Sequence, residues 1–222
     1  LIFGVYAINF LWSPLVDRIQ IPYLSKKIGH RKSWIISMQF FILLLLITWS
    51  TLNPSEDLWL VIAVGLGIAI SSATQDITID ALRIEQINEN EGRAMAAGAA
   101  ISVVGWWTGY KIGGVISLVS AEFFQQQGYV NYWQLSFLLL GLIVLITSFA
   151  LILVPEKSSK TRSSNQKKKD DVLLKRLSIN NRASKFLVWL YGTIINPLVS
   201  FFKKNSFSVA VGILSFIFLF KI

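Results

Sequence analysis

The chain has 222 residues, 54% hydrophobic and 15% charged, with a mean hydropathy of +0.58, which argues against a soluble enzyme. Its 21 Lys and Arg against 12 Asp and Glu leave a net charge of +9, confined to a few segments between long uncharged stretches, as in a multi-span membrane protein. With no cysteine a disulfide framework is excluded, and with His30 as the one histidine a zinc or iron centre is not expected, nor any cofactor.

Residues 1–16 are apolar from Leu1 onward, without the basic leader of a signal peptide, and read as the end of a span. Ser206 to Ile222 falls short of the roughly 20 residues that cross a bilayer. The expectation is an internal piece of a longer protein that starts in one span and stops in another. Between them lie four complete spans, Trp34 to Leu52, Leu58 to Leu82, Ala94 to Val119 and Gln134 to Val154. Each crosses as a helix, which satisfies its own backbone hydrogen bonds.

The loops alternate in charge. Arg18, Lys26, Lys27, Arg31 and Lys32 lie in the first, Arg83 and Arg93 flank the third, and twelve cations run from Lys157 to Lys204, whereas Asn53 to Asp57 and Ser120 to Trp133 have none. The positive-inside rule makes the first, third and fifth loops cytoplasmic. The fifth opens at Pro155 and passes through SSKTRSSNQKKKDD, a tract with no apolar residue to pack, which predicts a flexible tether. Phe186 to Phe202 is uncharged but is bracketed by Lys185 and by Lys203 and Lys204, and broken by Gly192, Asn196 and Pro197; an amphipathic helix on the inner surface is expected there in preference to a crossing.

The chemistry-bearing stretch is SSATQDITIDALRIE, Ser71 to Glu85, where Asp76, Asp80 and Arg83 follow at spacings of four and three and share one helix face. A charge within a span costs a few kcal/mol, so it faces a hydrated cavity or a partner. Asp76, Asp80 and the adjacent Gln75 are therefore candidates for proton coupling or substrate contact. The other reading makes the charged residues a salt-bridge cluster that fixes the helix end, and it fits Asp80 and Arg83 best; Asp76 stays open between the two.

Lys111, in GWWTGYKIGG, is the second intramembrane charge and stands too deep for ordinary snorkelling, which points to a cavity-facing role with an anionic substrate or a carboxylate. Tyr110 beside it either stacks on a sugar or base or belongs to an interfacial belt with Trp106 and Trp107. Gly105, Gly109 and Gly113 recur every four residues and form a flat ridge for helix packing. In the first loop, Asp17 and Arg18 near one helix end and Gly29, Arg31 and Lys32 before the next make a candidate cytoplasmic gate, with membrane anchoring by the cations as the plainer reading. His30, among those cations, is expected to be solvated. An enzyme is not expected: His30 is remote from the membrane carboxylates, and Asp76 and Asp80 share a face where a glycosidase pair would oppose one another. The KKK tract is explained by a cytoplasmic loop, so no nucleic-acid partner is expected.

FLWSPLVDR (Phe10 to Arg18), GHRKSW (Gly29 to Trp34), SATQDITIDALRIE (Ser72 to Glu85) and GYKIGG (Gly109 to Gly114) resemble, in order and spacing, the AmpG-type muropeptide permeases of the major facilitator superfamily. The resemblance covers Leu1 to Lys157 and extends more loosely to the last span. It implies an all-α integral membrane fold of two six-helix halves, of which this chain holds about spans 2 to 7. Residues 1–154 are then the N-terminal half without its first span, 155–205 the cytoplasmic central loop with its surface helix, and 206–222 the start of the C-terminal half. It implies proton-coupled import of anhydro-muropeptides, GlcNAc-anhydroMurNAc with or without peptide, across the inner membrane of a Gram-negative-type bacterium, by a monomer whose partners are substrate, protons and the lipid bilayer. Related acetyl-CoA transporters share much of the pattern, and a receptor or scaffold that keeps the fold without transport is the alternative of another class. Two positions depart from the family pattern: Asn9 replaces a frequent basic residue, and Lys111 replaces an arginine, which keeps the charge but loses the bidentate fork.

Overall fold

The computed structural model describes residues 2–53, 56–87, 91–156 and 189–221. The SSKTRSSNQKKKDD tract and the first residues of the expected surface helix lie outside the described residues. Helix is the only regular structure among those described. They fall into two compact units, one of residues 3–30 and 189–221, the other of residues 31–156.

In the first unit, the expected end of a span is broken. Helix α1 (Ile2–Ile8) gives way to a tight turn at Asn9–Leu11, and α2 (Ser13–Arg18) restarts with Pro14 in its first turn. Pro14 has no N–H to continue the ladder, and a proline is tolerated only where that donor is unused. The Ser13 hydroxyl donates to the Phe10 carbonyl at 3.1 Å across the break. After Pro22 the chain turns through Tyr23, at a φ of 68°, into the short helix α3 (Leu24–Ile28), and Gly29 at a φ of 102° makes the next reversal, a conformation strained for any residue with a Cβ. The C-terminal residues of this unit form a π-helical turn at Tyr191–Ile195, then α8 (Asn196–Lys204) and α9 (Phe207–Lys221).

The second unit carries α4 (His30–Ser50, whose first residue belongs to the other unit), α5 (Leu58–Gln86), α6 (Gly92–Gln126) and α7 (Tyr132–Ile152). These match the four expected spans with shifted ends. Toward the end of α4 hydroxyls supplement its carbonyl bonding: Thr48 Oγ1 donates to Leu44, Ser50 Oγ to Ile47 and Thr51 Oγ1 to Thr48, at 2.9, 2.6 and 2.7 Å. Within α5, Thr74 and Thr78 turn their hydroxyls back onto the carbonyls of Ile70 and Thr74 at 2.7 and 2.8 Å, so both side chains are buried without an unmet donor.

Close packing is set by glycines that face large side chains. A Cβ on Gly67 would stand 3.1 Å from Leu45, and one on Gly141 3.1 Å from Leu43, so α5 and α7 both approach α4 at glycine positions. The Trp49 and Phe137 rings stack at 5.1 Å between α4 and α7. Helices α4 and α5 and residues Tyr132–Leu151 of α7 are long and apolar enough to cross a membrane. Helix α6, though 35 residues long, is less apolar than these three, because glycines, Trp106, Trp107, Tyr110 and Lys111 occupy its middle. That polar and small-residue content distinguishes the one expected span whose residues are mostly exposed in this unit.

Candidate functional site

Arg31 and Lys32 open α4, and both are buried, Arg31 to 1% exposure. A guanidinium at that depth is tolerated only with a partner. Glu85, at the end of α5, supplies it: Arg31 donates from Nε at 3.1 Å and from Nη2 at 2.9 Å to the same oxygen, Oε1. The first turn of α4 has backbone N–H groups with no carbonyl of their own helix to bond. Glu156, four residues beyond the end of α7, meets two of them, accepting from Arg31 N at 2.8 Å and Lys32 N at 3.1 Å with one carboxylate oxygen each. A carboxylate at that position also complements the positive end of the helix dipole. Next to it, Gln86 Nε2 donates to the Pro155 carbonyl at 2.6 Å. The start of α4, the end of α5 and the segment after α7 are thus tied at one point.

The gate residues expected from the sequence are divided between the two units. Arg31 and Lys32 belong to the knot with Glu85 and Glu156, while Asp17, Arg18 and Gly29 lie in the other unit, where the Arg18 guanidinium sits 5.4 Å from the centre of the Trp189 ring, a cation–π contact. Expected to be solvated, His30 is instead 5% exposed, with Nε2 3.0 Å from the Val16 carbonyl at the end of α2. That carbonyl lies near the end of a short helix and needs a donor, which an imidazole N–H provides.

On α5, Asp76, Asp80 and Arg83 share a face, opposite the buried stripe of Ser71, Thr74, Thr78 and Leu82. Asp80 and Arg83 form an ion pair at 3.1 Å with side chains 45% and 25% exposed. Arg83 also donates from Nη1 to the Gly98 carbonyl of α6 at 2.8 Å, and a Cβ on Gly98 would stand 3.4 Å from Arg83 Cδ and 3.3 Å from Ile87. Arg83 therefore fastens α5 to α6. Asp76 and Gln75 are half-buried one turn earlier.

Lys111 is exposed on α6, and among the described residues no carboxylate lies within ion-pair distance of it. One turn before and beside it, the Trp106 and Tyr110 rings stack nearly parallel, 8° apart in plane at 6.0 Å, and both are exposed. A Cβ added at Gly105, Gly109 or Gly113 would meet nothing within 4 Å. The glycines with close neighbours are instead Gly65, Gly67, Gly98 and Gly141, which no four-residue repeat marks.

Sequence reasoning missed Glu156 and the roles of Glu85 and Gly98. One signal was present for Glu156: an acid directly after Pro155, at the end of a span and ahead of a loop rich in cations. Among the described residues no group of three or more His, Cys, Asp or Glu is placed to hold a metal.

Comparison with known proteins agrees with this architecture. The family model of the Major Facilitator Superfamily matches residues 1–222. A protein named AmpG 4 of Rickettsia felis is 33% identical over 98% of this chain and 45% of its own length, and AmpG 3 of Rickettsia prowazekii is 28% identical over 97% of this chain and 45% of its own. The anhydromuropeptide permease of Escherichia coli K12 is 34% identical over 68% of this chain and 28% of its own length. The chain spans about half the length of the Rickettsia relatives. It is an all-α membrane chain akin to permeases rather than to enzymes, and it belongs to the major facilitator superfamily.

Proposed function

We propose that the complete protein imports anhydro-muropeptides, anionic amphiphiles built on GlcNAc-anhydroMurNAc, from periplasm to cytoplasm across the inner membrane of a Gram-negative-type bacterium, as a monomer driven by protons. In this reading residues 1–154 belong to an N-terminal six-helix half, 155–205 form the cytoplasmic central loop and 206–222 open the C-terminal half. The substrate class draws on the name of the Escherichia coli relative.

The observation that carries the reading is Lys111. It stands 18 residues beyond Arg93 and 11 before Glu122, with no other charge between them. On a helix those intervals are roughly 27 and 16 Å, which sets the ammonium well inside the bilayer. A lysine there costs a few kcal/mol unless hydrated or paired, and the lactyl or peptide carboxylate of a muropeptide is a fitting partner in a low-dielectric cavity. The Trp106 and Tyr110 ledge beside it offers aromatic faces to a sugar ring. Asp76 is the proton-coupling carboxylate, with Gln75 as a neighbouring hydrogen-bond donor and acceptor. Asp80 is tied to Arg83 and serves the helix end. The knot of Arg31, Glu85 and Glu156 holds the cytoplasmic ends of α4, α5 and α7 together in one state and releases them in the other, which gives Arg31 and Lys32 a part in gating.

Uptake of a radiolabelled anhydro-muropeptide by cells with the Lys111→Arg and Lys111→Met variants tests this. The charge-preserving variant retains substantial uptake and the neutral one loses it, both inserting normally. Uptake by Lys111→Met at the parental rate and apparent affinity removes the lysine from the substrate site. Uptake of acetyl-CoA in place of muropeptide reassigns the substrate.

A further inference from the structure

Helix α8 separates its residues cleanly. Asn196, Ser200, Lys203 and Lys204 fall on one side of the wheel, and Val199, Phe201 and Phe202 on the other, with Ile195 of the preceding turn continuing the apolar face. The apolar side is only partly covered: Ile195 is 46% and Val199 36% exposed and Phe201 and Phe202 are half-buried, while Lys203 and Lys204 are exposed on the polar side. The helix is closed by Asn205, whose backbone N–H and Nδ2 both donate to the Phe201 carbonyl, at 3.1 and 3.0 Å. Only Asn205 and Ser206 separate it from α9, apolar from Phe207 to Phe216, and the Phe202 and Phe207 rings lie 5.8 Å apart across that joint.

We infer that α8 is a lipid-binding helix that lies in the membrane surface, with Lys203 and Lys204 paired to the phosphates of anionic lipid headgroups. Three observations choose this occupant. The joint to α9 is too short to carry α8 away from the surface where the apolar helix enters. The exposed apolar residues, Ile195 and Val199, are branched aliphatic side chains suited to the acyl boundary, with the half-buried Phe201 and Phe202 on the same side. Charge selects anions: from Val172 to Ile222 the sequence has seven Lys and Arg and no Asp or Glu. The lysines also stand in the last turn of α8, where the helix dipole favours cations and leaves their ammonium groups free to reach outward. Juxtamembrane lysines attract anionic lipid by an amount equal to several-fold in affinity each, so the pair confers roughly thirtyfold preference for anionic over zwitterionic lipid. The inference stands apart from the proposed substrate, since it needs only the bilayer.

The test uses the complete protein in nanodiscs of phosphatidylcholine, with a bimane label at Val199→Cys or at Ser200→Cys and any other cysteines replaced. Nitroxide-labelled phosphatidylglycerol or phosphatidylcholine is then titrated in as quencher. At Val199→Cys, phosphatidylglycerol quenches at a much lower mole fraction than phosphatidylcholine; Ser200→Cys is quenched less by either lipid. Lys203→Gln with Lys204→Gln makes the two titrations coincide, and Lys203→Arg with Lys204→Arg keeps them apart. Equal quenching by the two lipids in the parent overturns the headgroup assignment. Absence of quenching at Val199→Cys by either lipid overturns the surface location and leaves a protein partner as the cover of this face.

Discussion

The Arg31 guanidinium and the Glu85 carboxylate, 54 residues apart in sequence, meet on one oxygen at 2.9 and 3.1 Å, and their side chains are unequally sheltered, 2% exposed for Arg31 and 30% for Glu85. Removing either partner leaves a charge behind, but in different surroundings. Glu85 can recover hydration and Arg31 cannot.

Glu85→Ala therefore costs more than Arg31→Met. A buried charge left uncompensated costs about 3 kcal/mol or more, while a partly hydrated carboxylate costs about 1 kcal/mol. Thermal unfolding of the detergent-solubilised protein, followed by size-exclusion fluorescence, reads both. Exchange of the charges, Arg31→Glu with Glu85→Arg, recovers part of the loss. Equal loss in the two single variants with no recovery in the exchange would show that the pair is not coupled.

Much of this was legible in the chain. Four spans were placed by largely apolar runs, and each lies in a helix whose ends are shifted by up to seven residues, because an apolar run in a membrane protein has little choice but helix. The ends moved where side chains from elsewhere intervene: α4 begins at His30 and not at Trp34, with Glu156 receiving the N–H groups of Arg31 and Lys32 from 125 and 124 residues away. Periodicity within one helix cannot reveal such a partner. For the same reason Asp80 and Arg83, at local spacing, were legible as a pair, while the contact of Arg83 with the Gly98 carbonyl was not. His30 was misread because cations on either side suggested water, whereas the reversal at Gly29 precedes a ring placed against the Val16 carbonyl.

The glycines of α6 divide into two kinds. Gly98 already has Ile87 and Arg83 at contact distance, whereas Gly109 faces open space in this unit. Gly98→Leu is expected to overpack the α5 and α6 contact and lower thermal stability by about 1 to 3 kcal/mol. Gly109→Leu leaves stability of this region unchanged but lowers uptake, if the ridge of Gly105, Gly109 and Gly113 receives another helix of the complete protein. Uptake unaffected by Gly109→Leu would assign the ridge to lipid.

Orientation follows from the cations. A single cysteine at Gln126, at the end of α6, is labelled by an impermeant maleimide added outside the cell membrane, and one at Asn205, at the end of α8, only after the membrane is opened. These 222 residues have no cysteine, and any elsewhere in the complete protein is replaced first. Outside labelling at Asn205 would show that the stretch from Phe186 to Phe202 crosses the membrane.

The central claim is that the complete protein couples protons to the entry of a muropeptide through Asp76. The most direct measurement is accumulation of radiolabelled GlcNAc-anhydroMurNAc peptide in proteoliposomes under an imposed inward proton gradient, for the parent and for Asp76→Asn, whose amide keeps hydrogen bonding but cannot titrate. The account predicts accumulation above the external concentration in the parent, abolished when the gradient is collapsed, and only equilibration in Asp76→Asn. Gradient-driven accumulation by Asp76→Asn at the parental rate, or no muropeptide entry in the parent, would contradict it.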